Sequence, residues 1–161
     1  MTTDELFAAV AVTGWRRAIG FTERLLSSLS DEGLFLEVAP HRNRVYYIVG
    51  HLTATHDRLI DMLELGQRLH PEFDELFLDN PDRTFPDELS PTQLRDAFNT
   101  VNEKVTHGVE AMSPLDWLKR HSAVSEEEFD TDPKRNRLAV LQSRIGHVMY
   151  HNAQIRLLAT S

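Results

Sequence analysis

The sequence contains no cysteine among its 161 residues. This absence excludes a disulfide scaffold, a zinc site built on thiolates and a cysteine nucleophile. Cations are also scarce, with 17 lysines and arginines against 25 acidic residues, for a formal net charge of -8. Because proteins that hold nucleic acid through its phosphates carry the opposite charge, this balance argues against a nucleic-acid partner.

Long apolar runs and a basic leader segment are missing as well. The chain opens with Asp4 and Glu5, and no apolar stretch reaches the length of a membrane span. We therefore expect no membrane partner, with a cytoplasmic location as the default. The hydrophobic share of 41% and the charged share of 26% are typical of a globular protein, and the length fits a single domain over residues 1–161.

The hydrophobic periodicity is helical along nearly the whole chain. Apolar residues at three- and four-residue spacing predict long helices over about 3–29, 43–69, 91–112 and 134–159. Residues 70–90, rich in proline and acids, are predicted to be a loop. Four long helices in a chain of this length predict an all-α protein, a four-helix bundle. The long crossover between the second and third helices favours an up-down-down-up order.

Histidine, unlike cysteine, is plentiful, with eight residues. His147 and His151 lie four positions apart on the last predicted helix, so both rings can point at one metal ion. His51 lies at the edge of the apolar face of the second helix, whereas His56 projects from the middle of that face. The alternatives are a partly buried pair bonded to backbone or carboxylate groups, and a core histidine at position 56.

Three segments resemble the helices of DinB/YfiT-like proteins. Residues 47–54 (YIVGHLTA) are similar to that family's second helix, residues 90–94 (SPTQL) to the start of its third, and residues 137–155 to its last. The resemblance implies a four-helix bundle, often a homodimer, that holds a divalent metal ion, zinc or nickel, on three histidines.

Carried over by position, the implied metal ligands are His51, His147 and His151. Gln154 is then a candidate for a hydrogen bond to a ligand or for a substrate contact, with an ordinary helix residue as the alternative. His56 is a candidate further contact or a core residue.

The resemblance also implies thiol-dependent chemistry, such as that of a metal-dependent thiol S-transferase, and an ion with open positions could alternatively activate water in a hydrolase. Three neutral histidines leave positions open on the ion, as in catalytic sites. A small-molecule thiol or an electrophile would then be a partner. The sequence marks no general base, because Asp57 and Asp61 are rotated away from His51 and are expected on a solvated helix face. The acidic segments 79–88 and 126–132, also expected to be solvated, would repel anionic substrates if they flanked the site.

Two other functions are compatible with these residues. A non-enzymatic, dimeric stress-response module would carry a structural or vestigial metal and would present an exposed apolar stripe to the second copy. A small-molecule-binding protein would use a pocket between helices that is lined by Tyr47, Met62, Trp15 or Trp117.

Overall fold

The regular structure of the protein is helical throughout the part of the chain that the computed structural model describes, residues 2–159. The α-helices are α1 (Thr3–Ser28), α2 (Val45–Met62), α3 (Phe73–Phe77), α4 (Pro91–Ala111), α5 (Glu126–Thr131) and α6 (Arg137–Ala159). Two short 3-10 turns, Glu32–Phe35 and Asp116–Leu118, lie in the connections. The predicted all-α class is confirmed, with four long helices.

Side-chain caps fix where two of the long helices begin. At the start of α1, the Thr2 hydroxyl accepts from the Glu5 amide while the Glu5 carboxylate accepts from the Thr2 amide. Ser90 and Gln93 form the same reciprocal pair before α4, with Pro91 at the first helical position. Such pairs satisfy amide groups that the first turn leaves free, which is why the α4 start could be predicted from sequence.

The second helix ends at Met62, earlier than the predicted end near residue 69. Glu64 adopts a left-handed conformation with φ 58°, which breaks the helix. The Asp57 carboxylate then accepts from the amides of Leu69 and His70, at 2.7 and 3.1 Å, and from Arg68. Asp57 is fully buried, so the expectation that it lies on a solvated face was wrong. It folds the chain after α2 back against that helix.

The predicted loop over residues 70–90 contains α3, which packs on α2. Phe73 and Phe77 of α3 are buried, and the Phe77 ring lies where a side chain at Gly50 would be. Farther along, the partly buried Arg44 guanidinium binds the carboxylates of both Asp82 and Asp87. These contacts hold the α2–α4 connection against the first turns of α2.

The four long helices contact one another through the core and at its edges. Where α2 packs along α4, Tyr46 contacts Leu89, just before α4 begins, and His56 contacts Asn102. Where α1 packs along α4, Trp15 contacts Thr106, and Leu29, just after α1 ends, contacts Arg95. Where α2 packs along α6, His51 contacts His147, and Glu64, just after α2 ends, contacts Arg137. The largest fully buried side chains are Trp15, Phe98, Leu34, Ile48, Leu52, Leu59, Ile60, Leu63, Leu94, Leu141, Ile155 and His56.

The connection between α4 and α6 covers the far end of α2. The Ser122 amide donates to the Met62 carbonyl, and the Arg137 amide donates to the Lys119 carbonyl. Residues 126–131, predicted to be solvated loop, form α5 with no buried residue. Within residues 2–159, no helix is both long and apolar enough to cross a lipid bilayer.

Candidate metal centre

Three histidine rings converge where α2 passes α6. The Nε2 atom of His147 lies 3.0 Å from Nε2 of His51 and 3.1 Å from Nε2 of His151. One ligand atom from each of the three residues falls within 4.8 Å of the others. His147 and His151 share one helix face because they are one turn apart. The fold therefore brings together the three histidines that the sequence predicted as ligands.

Hydrogen bonds on the outer nitrogens orient two of the rings. The Nδ1 of His51 lies 3.0 Å from the Phe77 carbonyl oxygen, which can only accept, so this nitrogen carries the proton. The Nδ1 of His151 lies 2.7 Å from Oε1 of Gln154 and donates to it in the same way. Because His51 and His151 each carry their proton on Nδ1, the Nε2 lone pair of each ring faces the centre of the cluster, as metal-binding histidines require.

The electrostatics of the cluster favour neutral rings. Burial lowers the pKa of His51 and of His151 below the usual value. Burial, with the neighbouring rings of His151 and His51 as a smaller cause, lowers the pKa of His147 to about 4. All three imidazoles are therefore unprotonated on one nitrogen at neutral pH, which is the form that binds metal ions.

The two close Nε2–Nε2 contacts cannot both be hydrogen bonds between neutral rings. The Nε2 atoms of His51 and His151 are both acceptors, and a neutral His147 has only one proton to offer them. At least one contact then sets two lone pairs against each other, which is repulsive unless a cation lies between them. Nitrogen ligands bound at about 2.0–2.1 Å lie roughly 3 Å apart around one ion, so the observed spacing fits a metal.

The donor set narrows the kinds of ion that fit. Three imidazoles suit zinc, nickel and other borderline metals rather than magnesium or calcium, which prefer oxygen. Within residues 2–159, no carboxylate joins the cluster of possible ligands. All three histidines are partly buried, so each keeps some surface exposed to solvent.

Aromatic side chains flank the cluster on both helices. The Tyr47 ring stacks on His51 at a centroid distance of 6.3 Å and donates its hydroxyl to the Asn80 carbonyl. Tyr150, which is mostly exposed, meets His151 edge-on at 5.1 Å. Each of the two helices therefore places a tyrosine ring beside the cluster.

The two accessory residues that the sequence singled out have different positions. Gln154 contacts His151 directly, as described above. His56 is fully buried, bonds through Nδ1 to Asn102 Oδ1 at 2.8 Å, and packs edge-on against Trp15. Burial lowers the pKa of His56 to about 3. No nitrogen of His56 is in the three-ring cluster.

Two features of the site were not predicted from sequence. The first is the Phe77 carbonyl, a backbone group that no residue pattern marks. The second is Arg144, which lies one turn before His147 on α6 and is partly buried. The sequence alone shows that Arg144 lies three residues before His147, and residues three apart on a helix share one face. The sequence could not show that the Nε atom of Arg144 would be buried without an acceptor among residues 2–159.

The fold and the site together define the class of this protein, an all-helical protein in which three histidines converge. A family model for the DinB superfamily matches residues 15–155. The chain belongs to the DinB superfamily, as the resemblance of its helices predicted. A comparison with curated proteins found no match.

Proposed function

We propose that the protein binds a divalent metal ion, zinc or nickel, through Nε2 of His51, His147 and His151. The observation that supports this most directly is the set of three Nε2 atoms facing one another at 3.0 and 3.1 Å. Gln154 and the Phe77 carbonyl would hold the outer nitrogens of two ligands. Such outer contacts fix ring orientation and strengthen metal binding.

We further propose that the four long helices form one bundle domain with up-down-down-up order. Along the contact between α2 and α4, the residue numbers of the two partners increase in the same direction, as expected of parallel helices. Along the contact between α1 and α4, the residue numbers increase in one helix as they decrease in the other, as expected of antiparallel helices. The same holds for α2 and α6. This arrangement would place the ligands of α2 and α6 on neighbouring helices near the same level.

The activity that the site supports best is metal-dependent transfer of a thiol to an electrophile. A bound ion would lower the pKa of a coordinated thiol and so supply a thiolate at neutral pH. Hydrolysis by activated water commonly adds a carboxylate base, as in the zinc proteases. Within residues 2–159, no carboxylate hydrogen-bonds to any ring of the cluster, and Asp57 is engaged elsewhere. A thiol ligand therefore fits better than a hydrolytic mechanism.

A second candidate function is non-enzymatic binding of an apolar molecule or a second copy of the chain. A cavity of about 210 Å³ favours it, because its walls include the exposed side chains of Phe7, Leu115 and Leu118. Trp117 also lines this cavity, whereas Trp15, Tyr47 and Met62 do not. The cavity is separate from the histidine cluster, so the two functions can be tested independently.

Metal analysis of the purified protein tests the proposed centre. We expect stoichiometric zinc or nickel in the wild type and a loss of affinity of at least about 100-fold in His51→Ala and His147→Ala. His107→Ala is the matched control, since it removes an exposed imidazole from α4. Loaded wild type should then speed the reaction of 2-mercaptoethanol with an alkyl halide, and His147→Ala should not. Equal metal binding by all four proteins would contradict the proposal.

A further inference from the structure

We infer that Arg144 binds a carboxylate carried by the thiol ligand of the three-histidine centre and so selects that ligand by charge. This inference rests on the proposed function of the centre. It adds a residue that recognises the ligand, and it names the chemical class of that ligand, a thiol with a carboxylate group.

The position of Arg144 places its charge next to the cluster. It precedes His147 by three residues on α6, about 4.5 Å along the helix axis, on the face that carries the ligands. Arg144 also precedes His151 by seven residues, about two full turns, so it lies on the same stripe of α6 as both ligands. A small molecule bound at the cluster is therefore within reach of the guanidinium.

Arg144 differs from its neighbouring arginines because it has no anionic partner. Arg58 binds Asp74, and Arg135 binds Glu128. Within residues 2–159, the side chain of Arg144 forms no ion pair or hydrogen bond, and its Nε atom is buried with no acceptor. A buried donor left without an acceptor costs about 1–3 kcal/mol, more when it is charged. A ligand that supplies the acceptor would remove this cost.

The surroundings of Arg144 indicate the charge of that acceptor. Burial and the nearby Arg58 guanidinium lower the pKa of Arg144, yet arginine stays protonated in proteins. His121, the other basic group close to it, has a pKa that burial lowers, so its ring is neutral at pH 7. One unpaired guanidinium matches a single negative charge, and its planar fork fits a carboxylate.

Ion pairs neutralise part of the negative charge of the two acidic segments. Asp82 and Asp87 of the first segment are neutralised by Arg44. Glu128 of the second is paired with Arg135. The repulsion of anions that these segments predicted from sequence is therefore reduced.

A pair of thiols that differ in one group tests the inference. The protein is loaded with cobalt(II), and thiolate binding is followed by its charge-transfer absorption. The ligands are 3-mercaptopropionate and 2-mercaptoethanol, which have the same carbon spacer and end in a carboxylate and a hydroxyl. The measured quantity is the ratio of their dissociation constants in wild type, Arg144→Gln, Arg144→Lys and Arg17→Gln. Arg17 is an exposed cation of α1, which makes its variant the charge-matched control.

We expect wild type and Arg17→Gln to prefer 3-mercaptopropionate by about tenfold or more, the worth of one charge-assisted hydrogen bond. Arg144→Gln should lose the preference at unchanged cobalt content and unchanged 2-mercaptoethanol affinity, and Arg144→Lys should keep part of it. If cobalt binds but all four ratios are equal, or if cobalt binds and neither thiol does, the inference is overturned while the metal centre stands. If cobalt does not bind, the proposed function fails and the inference fails with it.

Discussion

Replacing Gly50 by alanine tests how the fold positions its candidate ligands. Gly50 precedes His51, and a Cβ at this position would lie 2.6 Å from Cγ of Phe77 and closer still to two other ring carbons. Real Cβ atoms do not approach other atoms so closely, so the Phe77 ring must move. Phe77 is buried and its carbonyl accepts the His51 Nδ1 proton, so the movement reaches the cluster.

The expected magnitude follows from two opposing effects. Overpacking a buried position costs about 1–3 kcal/mol. Alanine recovers roughly 0.5–1 kcal/mol within a helix because it loses less backbone entropy than glycine. We expect Gly50→Ala to lower the free energy of unfolding by about 1 kcal/mol or more, which corresponds to about 2–4 °C in Tm per kcal/mol. A displaced Phe77 carbonyl should also weaken metal binding by about 10–100-fold.

The chain offers a matched control at Gly146. This glycine precedes His147 as Gly50 precedes His51, but a Cβ there would meet nothing within 4 Å. Gly146→Ala should therefore stabilise the protein by up to about 1 kcal/mol and leave metal affinity unchanged. Urea denaturation of the metal-free proteins and competition with a metal-binding dye measure both quantities. If Gly50→Ala unfolds at the same urea concentration as Gly146→Ala, the reasoning about the Phe77 contact is refuted.

Two further predictions concern buried polar groups. Burial lowers the pKa of His56 to about 3, so the folded protein holds this ring in its neutral form while the unfolded chain protonates it below about pH 6.5. The free energy of unfolding should therefore be unaffected by His56 above pH 6.5 and should decrease as pH falls toward 3. In metal-free protein, His56→Gln should flatten the dependence of unfolding free energy on pH by up to about 1.4 kcal/mol per pH unit in that interval, and an unchanged slope would contradict this. Asp57→Ala should cost at least about 1–3 kcal/mol because it orphans the Leu69 and His70 amides, whereas Asp61→Ala, at an exposed site, should cost under about 0.5 kcal/mol by urea denaturation.

The helices could be predicted from sequence because their signals are local. Spacing of apolar residues located all four long helices, and the Ser90–Gln93 pair marked the start of α4. The end of α2 could not be predicted in this way. The helix breaks at the left-handed Glu64, and the chain beyond it is held by Asp57 through amides more than ten residues away. A carboxylate on a helix gives no local sign of that interaction.

The candidate site likewise combines features that local sequence patterns predict with contacts that only the folded chain creates. The spacing of His147 and His151 is a local property, and the family resemblance linked them to His51 on another helix. The contacts that orient these rings come partly from backbone, as with the Phe77 carbonyl, and backbone groups are the same for every residue type. Arg144 was visible as a residue, but its lack of a partner depends on which acids other arginines take.

The distance in sequence between His51 and His147, 96 residues, has a consequence for synthesis of the chain. A ribosome makes the α2 ligand early and adds the other two only when it reaches α6. Until residue 151 has been made and α6 has docked, the chain offers a single imidazole of the cluster, too few to retain an ion against cellular competitors. Metal loading would therefore follow completion of the fold, and a retained ion would report that the last helix is in place.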